Sequence, residues 1–299
     1  MIDLFLMSPP GRGWTLRGRS NFRSKDAPPV DAQQARREWL IFARALESRG
    51  GVVVALPSPS EDLTGLPYAA EGGLMLARSG AAPLFLLPRM ISPHRRGERE
   101  HWGQLARRMG LEVVDPGAGI WEAQGDVATF DGVTIVFHGV RTTREGMEAA
   151  TRYFPGEVMR LELLAPAFHG NMALLPLSVV DRLLVCPEVI APPSYALLEK
   201  RFGRERLVTV TKDEIRSYAT NCLPLGKELL APSVLPERIR ALVEGLGMKV
   251  TSFVLSELCE KGGGATRCLV NHGRLEPGSF QVPEENRLAA VAARMEAEG

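Results

Sequence analysis

Aromatic residues make up only 6% of the 299-residue chain, and no charge of either sign is in surplus: 36 Lys and Arg stand against 35 Asp and Glu. With a net charge of +1 and no basic stripe interleaved with aromatics, nucleic acid is excluded as the main partner. Apolar runs are short. None approaches the length that spans a bilayer, so no membrane partner is expected. The opening "MIDLFLMSPPGRG" has too brief an apolar stretch and no charged leader, and it reads as a first strand rather than a secretory signal. Cysteine is scarce. Cys186, Cys222, Cys259 and Cys268 have no metal-ligand spacing and no C-x-x-C, which fits reduced thiols better than a disulfide framework. The expected compartment is the cytoplasm, with no metal and no cofactor.

Periodicity is plentiful. Helical spacing of apolar residues runs through "VDAQQARREWLIFARALESRG", "RRGEREHWGQLARRMG", "TREGMEAATRYF", "SYALLEKRFG" and "VLPERIRALVEGLG", and glycine or proline closes most of them. A β-rich run follows each at once: "VVVALPSP", "LEVVDPGA", "EVMRLELLAP", "RLVTVTKD" and "MKVTSFVLSE". Helix, short turn and strand thus recur about five times at intervals of roughly 40–60 residues, a period typical of repeated supersecondary units. An open α/β sheet would alternate in the same way.

Just beyond each of these strands stands an unusual polar residue: Glu71, then Glu122 and Asp126, then His169, then Asn221, then Cys268 at the end of "EKGGGATRCL". Singly, each has an ordinary reading as a turn cap, a loop histidine or a buried cysteine. Placed at matching points of a repeat, they suggest convergence on one axis, as in a propeller. A cysteine with a histidine is a nucleophile and its proton carrier. A site rich in carboxylates suits a cation, and the planar cation that forks onto carboxylates is a guanidinium. Gripped by Glu71 and Asp126 it would stay protonated, keep its central carbon electrophilic, and favour thiolate at Cys268.

These residues resemble the motifs of the guanidino-group-modifying enzymes: arginine deiminases, dimethylarginine dimethylaminohydrolases, amidinotransferases and arginine dihydrolases. "WEAQGDV" resembles their E-G-x-G-D box, "FHGNMALLPL" their H-x-D-x-x-F-x-P-L box, and "GVRTT" their G-x-R-T element. "ATNCLPLG" is similar to N-x-x-x-x-G and "KGGGATRCL" to G-G-x-x-R/K-C-L. The resemblance runs through nearly the whole chain. It implies an α/β fold, a five-bladed α/β-propeller (pentein) of ββαβ repeats, in a single catalytic domain over 1–299. It implies Cys268 as nucleophile, His169 as acid and base, and Glu122 as the partner of His169. Glu71 and Asp126 would hold the guanidinium, Arg141 and Arg89 a substrate carboxylate, and Asn21 would stand at a lid position. The implied partner is a small guanidino amino acid, and a homodimer is compatible with this reading.

Three departures shape the expected activity. Asn171 stands where the family's histidine box has a second acid, which disfavours free arginine and favours an N-substituted one. Glu71 stands where arginine dihydrolases have asparagine. The stretch "LTGLPYAAEGG" lacks the usual P-D pair. The leading expectation is hydrolysis of arginine or an N-substituted arginine, in the manner of dimethylarginine dimethylaminohydrolase, to citrulline plus an amine through an amidino-cysteine. Amidino transfer and plain deimination are the nearest alternatives. A propeller of this fold that only binds a partner such as the ribosome is the alternative of a different class, and the pairing of Cys268 with His169 speaks against it.

Overall fold

The computed structural model describes residues 1–17 and 24–298. The chain runs through β1 (Ile2–Met7), α1 (Ala32–Glu47), β2 (Val52–Ala55), β3 (Leu74–Leu76), β4 (Leu84–Leu86), α2 (Glu98–Arg108) and β5 (Glu112–Val114). It continues through β6 (Val127–Phe130), β7 (Val133–His138), α3 (Arg144–Thr151), β8 (Glu157–Glu162), β9 (Leu174–Leu177), β10 (Arg182–Val185), α4 (Pro192–Phe202) and β11 (Leu207–Thr209). The last part holds α5 (Lys212–Ile215), β12 (Leu223–Leu225), β13 (Glu228–Pro232), α6 (Glu237–Gly245), β14 (Lys249–Phe253), β15 (Asn271–Leu275) and α7 (Leu288–Ala297). Each helix expected from periodicity is present, and each is followed by the expected strand.

The strands form five three-stranded sheets of one design. In each, the middle strand is antiparallel to one neighbour and parallel to the strand that follows the helix. The order is β3-β4-β5, β6-β7-β8, β9-β10-β11 and β12-β13-β14. The remaining sheet is completed by the far end of the chain, β15-β1-β2, with Leu4 opposite Gly273 and Leu6 opposite Asn271. Short glycine turns make the helix-to-strand passage possible. Gly110 and Gly247, just past α2 and α6, both have φ of 86°, the left-handed region that a side chain disfavours.

Contacts group the chain into two compact units. One holds Met1–Pro116, Leu255–Gly264 and Cys268–Gly299; the other holds Gly117–Val254 and Ala265–Arg267. The first is built on a core of Leu4, Leu6, Val54, Phe85, Trp102, Met109 and Leu275 with their neighbours. α1 presents Ala35, Trp39, Phe42, Ala43 and Leu46 as one buried stripe, and Asp31 caps it by accepting from Gln34 N at 2.9 Å. In the second unit Trp121, Phe130, Phe137, Leu161, Leu174, Leu184 and Leu229 are fully or almost fully buried. Phe130 meets Phe202 of α4 edge-on at 5.2 Å. Among the described residues no helix is long and apolar enough to cross a membrane.

Candidate functional site

The polar residues singled out above occupy equivalent places. Each lies in the turn that leads into the first strand of a sheet: Glu71 before β3, Glu122 and Asp126 before β6, His169 and Asn171 before β9, Asn221 before β12, and Cys268 before β15.

In the second unit these side chains touch. His169 Nε2 lies 2.6 Å from Glu122 Oε2, with both residues about 98% buried or more. Arg141 Nη1 donates to the same oxygen at 3.2 Å, and its guanidinium lies over the Phe168 ring, 4.3 Å from the centroid. Thr142 ties the acids together. Its hydroxyl donates to Asp126 Oδ2 at 2.6 Å and accepts from Glu122 N at 3.0 Å. Gly170 N, next to His169, donates to Asp126 Oδ1 at 2.8 Å. A Cβ at Gly170 would collide with the Phe137 ring, so this close approach needs glycine. Burial pushes the Asp126 carboxyl up to about 6; His169, Thr142 and Gly170 pull the other way, and Glu122 adds to the rise. Asn171 Oδ1 accepts from Asn221 Nδ2 at 3.1 Å, both buried. Arg267, the residue before Cys268 in the chain, donates to Leu174 O and Val127 O at 3.0 Å each, and so ties the starts of β9 and β6.

In the first unit Glu71 and Cys268 belong to one packed turn system. Ala70 N donates to Cys268 O at 3.1 Å, and Asn271 Nδ2 donates to Ala70 O at 3.3 Å. Cys268 is 8% exposed. The glycine run before it lies against Tyr68: a Cβ at Gly264 would enter the Tyr68 ring and come within 3.1 Å of Cys268 Cβ. The run is therefore a packing requirement of this cysteine's surroundings.

Glu71 is engaged by the protein's own guanidinium. Arg95 Nη1 donates to Glu71 Oε2 at 3.0 Å, while its other nitrogens meet Glu98 at 2.8–3.1 Å and the carbonyls of Gly65 and Tyr68 at 3.1 Å. Arg89 faces Asp115 at 3.3 Å, near Arg99, which meets the same carboxylate at 2.6 Å. Asn21 lies outside the described residues.

Arg95, Thr142 and Phe168 are site neighbours to which the sequence motifs assign no role. Arg95 sits in "PHRRGERE", which looks like a solvated basic stretch, and only Glu98 three residues on hints at a pair. Thr142 had a signal, its place after Arg141 in "GVRTT". Among the described residues no group of three or more His, Cys, Asp or Glu is arranged to hold a metal ion. The arrangement supplies a buried acid–histidine pair and a second acid of raised pKa beside it; in the first unit the Cys268 carbonyl is bound by the residue before Glu71, itself in a buried acid–arginine pair.

No protein-family model matches the sequence. An uncharacterized protein of Aeropyrum pernix is 30% identical over 240 residues, 79% of this chain and 83% of that one. Among solved structures, the N-terminal domain of ArgZ bound to product, an arginine dihydrolase from the ornithine-ammonia cycle in cyanobacteria, matches with a TM-score of 0.82 at 20% identity. That match covers 92% of this chain and 99% of the domain. AgrE in complex with L-arginine matches with a TM-score of 0.81 at 20% identity, covering 95% of this chain and 41% of AgrE. A dimethylarginine dimethylaminohydrolase adduct with 4-chloro-2-hydroxymethylpyridine matches with a TM-score of 0.66 at 19% identity, covering 91% and 100%. These likenesses show the fold, the α/β propeller of three-stranded sheets.

Proposed function

We propose that this chain, which belongs to one family with the uncharacterized Aeropyrum pernix protein and has the fold of the guanidino-group-modifying superfamily, is a cysteine-dependent hydrolase of a guanidino C–N bond in arginine or an N-substituted arginine. The observation that carries this reading is the buried Glu122–His169 contact with Asp126 beside it, all three bound into one network by Thr142 and Gly170.

In this reading the guanidinium rests against Asp126, and Cys268 thiolate attacks its central carbon. The bond to one terminal nitrogen breaks, and the departing amine takes its proton from His169. Water then gives a proton to His169 and attacks the amidino-cysteine. The C–S bond breaks, the thiolate is restored, and the product is the ureido amino acid. Glu122 orients the imidazole and stabilises its charged form. Arg141, braced by Glu122 and Phe168, is the guanidinium that would meet a substrate carboxylate in this reading.

Substitution of the scissile nitrogen is supported by Asn171. It offers no charge to a guanidinium, and its amide oxygen already accepts from Asn221. Free arginine is the second reading, supported by the likeness to ArgZ and AgrE, proteins described with arginine chemistry. Incubation with L-arginine, methylated arginines and agmatine, with products identified by mass spectrometry, tests both. The first reading predicts citrulline plus methylamine or dimethylamine from methylated arginine. The second predicts citrulline plus ammonia from arginine, or, if the ureido group is hydrolysed in turn, ornithine with carbon dioxide and two ammonia. No turnover of any guanidino compound refutes both.

A further inference from the structure

The glycine run before Cys268 begins from a π-helical turn, Ser256–Lys261, with Glu260 N and Gly262 N reaching back five residues to Leu255 O and Glu257 O. Such turns are rare, and they gather at functional sites. One side chain meets the start of this one at three places. Glu38 accepts from Ser256 Oγ at 2.7 Å, from Glu257 N at 3.0 and 3.1 Å, and from Leu258 N at 3.1 Å. Gln34 Nε2 adds a longer contact at 3.4 Å. Glu38 is 1% exposed, on the apolar stripe of α1, and among the described residues it makes no ion pair. A buried carboxylate without a cation is costly, and only a full set of donors offsets that cost.

The opposite side of the turn is held by Tyr68. Its hydroxyl donates to Leu258 O at 3.0 Å, and its ring fills the space where side chains at Gly262 and Gly264 would be. Two residues on, Ala70 N binds the Cys268 carbonyl at 3.1 Å. Backbone, ring and carboxylate thus fix the route from α1 through the π-turn to the thiol.

We infer that Glu38 and Tyr68 are positioning residues for Cys268: they clamp the π-turn between them and so set where the thiol stands. This rests on the reading of Cys268 as nucleophile. A displacement of about 1 Å at a reacting atom is worth on the order of a hundredfold in rate. Glu38→Gln keeps the shape but turns an amide N–H₂ toward main-chain N–H donors. Tyr68→Phe removes one hydroxyl from the other side.

The test is the rate constant for alkylation of Cys268 by iodoacetamide, followed by peptide mass spectrometry, beside kcat and KM for methylated arginine. Both variants are expected to lose about tenfold or more in alkylation rate and in kcat, with KM within about twofold of wild type. Glu214→Gln, which alters a carboxylate bound to Thr211 N at the start of α5, is the control and leaves both rates unchanged. Alkylation rate and kcat within about twofold of wild type in both variants, whatever happens to the melting temperature, overturn the inference. Should Glu38→Gln fail to fold, Tyr68→Phe decides alone. Failure of the parent reading has a different signature, a Cys268→Ser enzyme that still turns over, and the alkylation arm needs no turnover.

Discussion

Replacing Glu122 by glutamine tests the proton-transfer part of the account. Glu122 Oε2 meets both His169 Nε2 at 2.6 Å and Arg141 Nη1 at 3.2 Å, so the substitution removes one charge that serves both the imidazole and the guanidinium. A hydrogen bond to a charged group is worth about 1.5–3 kcal/mol, a factor of roughly 10–150. The full contribution of a general acid–base residue is about 10²–10⁴. Glu122→Gln is therefore expected to lower kcat by about 10- to 150-fold, below the loss from His169→Ala, while KM changes less. The assay is amine and citrulline release across pH, with thermal melts on the same samples, because breaking a buried pair also costs stability. A variant that melts like wild type and keeps more than about half of kcat refutes the role given to this pair.

Four further outcomes follow from the same group of residues. Asp126 carries a carboxyl raised from 3.8 to about 6, so between those values the native state holds a proton that the unfolded chain has released. Stability should fall as pH rises through that window, by about 3 kcal/mol for a shift of about two units, and Asp126→Asn should flatten the slope in urea titrations. A guanidinium ligand favours the ionised form, so substrate affinity should rise with pH up to about 6 and then level off, which isothermal titration can follow. Arg141→Ala should raise KM more than it lowers kcat, and agmatine, which lacks the carboxylate, should be a poor substrate; efficient agmatine turnover contradicts this. Asn171→Asp should shift kcat/KM toward free arginine and away from methylated arginines, and an unchanged ratio leaves Asn171 as a structural contact with Asn221.

The helices α1, α2, α3, α4 and α6 are legible in the sequence because each has an apolar stripe and a glycine or proline near its end. The strands after them are legible for the same reason of contrast. β3, β4 and β12 are only three residues long, and unlike the equally short β5 and β11 they follow no long patterned helix that would set them off. α7 is alanine-rich and weakly patterned, and the π-turn Ser256–Lys261 has no sequence signature of its own. Site residues were visible where chemistry interrupts a pattern, as His169 and Glu122 do between strands. Arg95, Thr142 and Glu38 were not, because their importance comes from partners distant in sequence: Glu38 meets Glu257 N, 219 positions away. One signal for Glu38 was present. It is a carboxylate on the buried stripe Ala35, Trp39, Phe42, where a charge needs a reason. Glu71 shows the converse. Its place in the repeat is visible from sequence, but its engagement by Arg95 is a tertiary contact.

The central claim is that Cys268 forms a covalent amidino intermediate, and acid quenching tests it most directly. Enzyme mixed with arginine or methylated arginine, stopped within one turnover and digested, should give the Cys268 peptide with the added mass of the substrate less its departing amine. The same peptide from Cys268→Ser should carry no adduct, and that variant should release no citrulline. Turnover with no adduct at Cys268, or continued turnover by Cys268→Ser, would contradict the account.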